Sequence, residues 1–144
     1  MGPLKKLVKQ AATQVDRERD RFAATLGITG TQMSIIDFLS NQKANTAGQK
    51  AIEGEFAIQR STTSIILNRM VQHQLVRRIP DPGDKRRKQV QLTPKALSLI
   101  QQIKQHMRQD DLHLRQNLAP QEEQIIKRFL QQIIQGDGTH HDRS

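Results

Sequence analysis

Apolar residues recur at helical spacing from the start of the chain. Leu4, Val8, Ala11, Val15, Phe22 and Leu26 fall on one stripe, with Arg19 standing where an apolar residue is due and Gly27 marking the end. Thr31 reads as the N-cap of a second helix that buries Ile35, Ile36 and Leu39. Residues 41–46 form a polar connection. A short helix over about residues 48–56 directs Ala51, Ile52 and Phe56 inward, and residues 57–59 turn the chain. The next helix, from Arg60 to about His73, is polar in its first turn (Arg60, Ser61, Thr62, Thr63, Ser64) and apolar afterwards.

The pattern then shortens. Two β-prone runs, residues 75–79 and 89–92, flank Pro82-Gly83, which predicts a hairpin. Thr93-Pro94 places a cap and a proline at the start of a long helix whose stripe is Ala96, Ile100, Ile103, Met107, Leu114 and Leu118. A last helix begins at Ala119-Pro120, with Glu122 and Glu123 in the turn where the helix dipole favours acids. Ile125, Ile126, Phe129, Leu130, Ile133 and Ile134 line its inward face. Gly136 to Gly138 ends it, and residues 137–144 read as a flexible, frayed tail. The fold class is mainly α with a small β-hairpin.

Charge changes the picture. The 144 residues carry 23 Lys+Arg against 14 Asp+Glu, a net charge of +9 that favours an anionic partner. Lys85, Arg86, Arg87 and Lys88 are consecutive and fall at the hairpin tip. Like charges repel there, so folding supplies no reason for the cluster, whereas a phosphate backbone does. A polar-tipped helix leading into a basic hairpin is the layout of a winged helix-turn-helix. The absence of Cys excludes disulfides, thiol sensing, cysteine nucleophiles and zinc fingers. Trp and Tyr are also absent, which removes the usual stacking platforms for single strands and favours a duplex. Neither a signal peptide nor a membrane-spanning run is apparent, so a cytoplasmic protein without a membrane partner is expected.

From residue 31 to about residue 100 the chain resembles the MarR (multiple antibiotic resistance regulator) family. Asp81-Pro82, Asp84, Arg86 and Leu92-Thr93 match its wing, and Arg60-Ser61-Thr62 with Asn68-Arg69 match its recognition helix. The resemblance implies a homodimer paired through its terminal helices: residues 1–30 and 94–136 for dimerisation, residues 31–93 for DNA binding. It implies that the recognition helix enters a major groove, using Arg60, Ser61, Thr62, Ser64, Ile65, Asn68 and Arg69. The wing (Asp84, Lys85, Arg86, Arg87, Lys88) would lie at a minor groove, where Asp84 orients the inserted Arg86. Arg78, Arg69, Lys85, Arg87 and Lys88 would touch the DNA backbone. A narrow A·T-rich minor groove concentrates negative potential and attracts Arg, which suits Arg86.

Departures from the family pattern are specific. Ala57 and Gln74 stand where Gly is common, Gln59 where an acid or hydroxyl caps the helix, and Ile65 where relatives often carry a base-reading Arg. Ile65 suggests either a different operator, with apolar contact to a thymine methyl, or weaker sequence discrimination. By analogy the regulator is a repressor released by a small-molecule effector, in a pocket including Met33, Ile35 and Phe38. His106, Asp110 and His113 share a helix region and raise a zinc-responsive alternative, but the ligand set is thin and no metal is assigned. A non-specific duplex-binding module is the other alternative. Nothing spaces a nucleophile with a base, and no Gly-rich loop cradles a phosphate, so neither enzyme activity nor a cofactor is expected.

Overall fold

The computed structural model describes residues 3–136; the tail, with His140 and His141, lies outside them. The chain divides within one helix, after Lys104, into two compact units.

In the first unit, helix α1 (Leu4–Thr25) ends at Leu26, and Gly27 follows in the left-handed region at φ 76°. Helix α2 (Gly30–Ser40) is capped by Thr29, not Thr31. Thr29 Oγ1 accepts from the Gln32 backbone N–H at 3.1 Å, and Gln32 Oε1 accepts from the Thr29 N–H at 3.0 Å. This reciprocal box requires a carboxamide or carboxylate three residues on; Thr29 has Gln32 there, whereas Thr31 has Ser34. Residues 41–46 are not simply a polar connection. A tight turn, Lys43–Asn45, holds Ala44 and Asn45 at φ 56° and 54° and delivers the chain into strand β1 (Thr46–Gly48).

Helix α3 (Gln49–Phe56) and helix α4 (Arg60–Gln72) are joined by a turn in which Ala57 takes φ 52°. Ile52 is fully buried, Phe56 is half-buried, and Ala51 is exposed, contrary to the inward position expected from periodicity. Strands β2 (Val76–Asp81) and β3 (Asp84–Leu92) form the hairpin, and β1 joins β3 on its other edge, giving the antiparallel order β1-β3-β2. The register pairs Ala47 with Val90 and Val76 with Leu92, placing buried residues of all three strands over the helices. The cations Lys85 to Lys88 lie within β3, because the ladder runs on to the Asp81–Asp84 pair and leaves only Pro82-Gly83 as the turn. Asp81 Oδ1 closes that turn by accepting from the Gly83 N–H at 2.7 Å.

The expected single helix after Thr93 is interrupted. Helix α5 (Pro94–Leu97), capped by Thr93, stops at Ser98, and Leu99 N–H bonds Ala96 O three residues back before α6 (Ile100–Arg115) begins. The core contains Ala23, Met33, Ile35, Ile36, Leu39, Ile52, Leu67, Met70, Leu75, Val90, Ala96 and Ile103.

In the second unit, the later part of α6 is followed by α7 (Pro120–Ile134). Leu114 is exposed, and Leu118 lies beyond the end of α6. Glu122 Oε1 caps α7 by accepting from the Ala119 N–H at 2.8 Å. The apolar stripe of α7, expected to face inward, is 37–81 % exposed from Ile125 to Ile134 in the single chain. Among the described residues, no helix is long and apolar enough to cross a membrane.

Candidate nucleic-acid interface

Helix α4 has two chemically distinct faces. Thr63, Leu67 and Met70 are buried, while Ser61, Thr62, Ile65, Asn68 and Arg69 are exposed, as the 3.6-residue period requires. Gln59 provides no side-chain cap; instead both the backbone N–H and the hydroxyl of buried Thr63 donate to Gln59 O at 2.9 Å. That use of Thr63 anchors the first turn from inside and leaves its outward hydroxyls available to solvent. Ile65 is 55 % exposed, an apolar side chain in the middle of an otherwise polar surface.

Ser64 is half-buried and already engaged. Gln49, at the first position of α3, donates through Nε2 to Ser64 Oγ at 2.9 Å, with Glu53 Oε2 at 3.2 Å and Arg60 O at 3.4 Å. Gln49 therefore ties α3 to the start of α4. Only its i,i+4 relation to Glu53 is visible in sequence; the bond to Ser64 is tertiary. Arg78 on β2 donates to Asn68 Oδ1 at 2.8 Å, linking the middle of α4 to the hairpin. Arg77, which the sequence did not single out, donates to Gln91 Oε1 at 2.9 and 2.6 Å and braces the two strands.

The wing is organised by Asp84. One of its carboxylate oxygens accepts from the Arg86 N–H at 3.0 Å and lies 3.5 Å from Arg86 Nε; the other lies 3.7 Å from Arg87 Nε. The Arg86 side chain is 92 % exposed, so these exposed ion pairs add little stability. Their effect is geometric, holding the guanidinium near the end of the ribbon. Lys85 and Lys88 are exposed.

Between the start of α3, α4 and the hairpin lies an open cleft of about 470 Å³. Lys50, Arg60, Arg78, Arg86, Arg87 and Lys88 line it, with only Glu53 and Asp81 as counter-charges. The cleft thus brings the start of α4, at Arg60 and Ser64, together with the basic strand, two features far apart in sequence. Such an excess of cations on a concave surface attracts a polyanion.

Other candidate residues lie elsewhere. Met33 and Ile35 are sealed in the core, and Phe38 is half-buried with its ring edge-on to Phe56 at 5.9 Å. His73 is the exposed C-cap of α4, and its carbonyl accepts from Lys95 Nζ at 2.9 Å. His106, Asp110 and His113 all lie on α6, and His113 Nδ1 is 3.3 Å from Gln116 Nε2. Among the described residues, no group of three or more His, Cys, Asp or Glu side chains could hold a metal ion.

Comparison with known proteins agrees with this architecture. The MarR family model matches residues 26–87, from the end of α1 into the wing. The crystal structure of the transcription regulator MarR from Oenococcus oeni is 34% identical, covers 92% of this chain and 99% of its own, and superposes with a TM-score of 0.82. The multiple antibiotic resistance protein MarR of Salmonella typhimurium is 27% identical over 92% of this chain and 91% of its own. The MepR–DNA complex of S. aureus has the same fold at 19% identity, with a TM-score of 0.85 over 93% of this chain and 96% of its own. From the near-complete alignment with the 34% identical regulator, and from the helix-turn-helix and wing themselves, the chain belongs to the MarR family of winged-helix transcription regulators.

Proposed function

We propose that the protein binds double-stranded DNA as a homodimer at a pseudo-palindromic operator, and acts as a repressor released by a small-molecule effector. A family of transcription regulators is not a family of enzymes, and the chain is not one. The observation that carries the DNA reading is the cationic cleft lined by Arg60 and Ser64 at the start of α4 and by Arg86 on β3. MepR of S. aureus, which shares the fold, was crystallised as a complex with DNA.

In this reading α4 enters the major groove, where Ser61, Thr62, Ile65 and Asn68 reach base edges. Ser64 acts closer to the helix axis, through its bond with Gln49. Arg86 enters the adjacent minor groove, oriented by Asp84. Arg60, Arg69, Lys85, Arg87 and Lys88 meet phosphates and set the register. The exposed α7 stripe is an apolar surface open to a second copy, and so, separately, are Leu4, Leu7 and Val15 on α1. Two-fold symmetry would then present two recognition helices to half-sites about 34 Å apart. An effector that favours another spacing of these helices would release the operator.

Selection of genomic fragments by the purified protein at near-physiological salt tests this reading. One inverted repeat near a promoter is the expected product, surviving excess unrelated competitor. Fragments without a shared motif would replace it with non-specific duplex binding. Sedimentation of the free protein should give a dimer mass.

A further inference from the structure

The hydrogen bond between Arg78 and Asn68 spans two elements at the edge of the cationic cleft, and both residues are exposed. We propose that Arg78 is a positioning residue that decides which base edge Asn68 can read. The proposal rests on α4 being the base-reading helix.

Arg78 reaches α4 because of the strand register. Alternation along β2 places it on the same sheet face as Val76, which is buried. Pairing with Val90 fixes its position along the ribbon, and Arg77, one residue earlier, is held separately by Gln91. Ten residues of chain separate Arg78 from Asn68, so the bond is a product of the helix–hairpin packing.

Donor and acceptor chemistry then fixes the amide. A guanidinium has only N–H donors, so the Asn68 atom at 2.8 Å must be the carbonyl oxygen. A charged donor makes a stronger bond than a neutral one, and it holds that oxygen against a competing base. The amide nitrogen makes no hydrogen bond among the described residues, so Asn68 presents a donor outward. Asparagine reads adenine by offering both groups together, its oxygen to N6 and its nitrogen to N7. With one lone pair of the oxygen held by a charged donor, adenine's N6 has to share that acceptor with the guanidinium, which weakens the adenine contact. Guanine, with acceptors at O6 and N7, and thymine, with O4, suit a donor alone. Asn68 in this protein therefore favours guanine or thymine, and the selectivity is set by a residue on the hairpin.

A phosphate contact by Arg78 would weaken binding to every sequence alike, whereas control of Asn68 alters one base position in each half-site. The test uses the full chain and the operator selected by the wild-type protein, with all four bases introduced symmetrically at each half-site position. Asn68→Ala identifies the position at which base preference flattens. At that position the wild type should prefer guanine or thymine, and Arg78→Ala should shift the preference toward adenine by about five- to tenfold. Adding Asn68→Ala to Arg78→Ala should abolish that shift. A uniform loss across all positions with Arg78→Ala, a wild-type preference for adenine, or no position flattened by Asn68→Ala would overturn the proposal. Failure of the wild type to select any shared motif would be a different result, removing the base-reading assignment of α4 and this proposal with it.

Discussion

Lys104 Nζ donates to the Asp37 carboxylate at 3.1 Å and to Asn41 Oδ1 at 2.8 Å, so one half-buried ammonium ties the first turn of α6 to α2. Ile103 beside it is fully buried, and the two side chains fix that turn by an apolar and a polar contact. Lys104→Met keeps the apolar stem and removes the charge. Because the pair is only partly shielded from water, the expected loss is about 1 kcal/mol, read as a lower urea midpoint at constant m-value. An unchanged midpoint would mean that solvent screens the pair completely.

Two glycines should respond to alanine with opposite signs. A Cβ at Gly30 would collide with Asp20 Oδ1 and crowd Arg19 Cγ at 3.2 Å. The Asp20 carboxylate can move away only by giving up its bond from the Gly30 N–H, 3.0 Å long. Gly30→Ala should therefore destabilise the fold by about 1–2 kcal/mol in denaturant titrations. Gly54 lies within α3 with nothing near its added Cβ. Gly54→Ala should stabilise by about 0.5–1 kcal/mol, through reduced backbone entropy in the unfolded chain.

Ala57 and Gln74 make the left-handed turns at φ 52° and 61° that flank α4, as the family's glycines at these positions suggest. Ala57→Gly and Gln74→Gly should each relieve about 1 kcal/mol of backbone strain, partly offset by the greater freedom of glycine when unfolded. Thermal melts of the single and double variants should rise, and the gains should add because the turns are separate. A fall in either single variant would show that the side chain contributes more than its backbone costs.

These turns also show what was legible. The helix periodicity located α4 closely, and the proline-glycine pair located the hairpin turn. Strand β1 escaped because three residues carry no measurable alternation, and Thr29 escaped because Thr31 also offers a hydroxyl and lies nearer the apolar run, although only Thr29 has a Gln three residues on. The break at Ser98 has no Gly or Pro to announce it. In the candidate site, the cations were plain as composition, but Gln49 to Ser64 and Arg78 to Asn68 join residues through tertiary packing. Their side chains have no local signature.

Glu123 ionises below the ordinary glutamate value. The hydrogen bond from Lys127 Nζ, 3.0 Å long, is the main cause; burial opposes it, and the charges of Arg115 and Lys127 reinforce it. A depressed carboxyl pKa contributes stability above the unfolded value, and that contribution is lost as pH falls through the folded value. Carboxyl-detected NMR should find Glu123 titrating below an ordinary glutamate, and Lys127→Met should move it back up. A titration indifferent to Lys127→Met would exclude the hydrogen bond as its cause.

The wing gives the sharpest functional prediction, because Arg86 and its neighbours have different expected roles on one strand. Arg86→Ala should weaken operator binding by about 1–3 kcal/mol, chiefly for sites with A·T-rich flanks, where the minor groove is narrow. Lys85→Ala should weaken all sequences alike and reduce the salt dependence by about one counterion per protomer. Asp84→Asn retains every cation but removes the charge that holds Arg86, so it should reproduce part of the flank-specific loss despite raising the net positive charge. That sign is the useful one: a simple electrostatic wing predicts tighter binding for Asp84→Asn. Fluorescence anisotropy on paired A·T- and G·C-flanked operators, at several salt concentrations, separates the two. Equal affinity of Arg86→Ala and wild type at every salt concentration would remove Arg86 from the DNA contact.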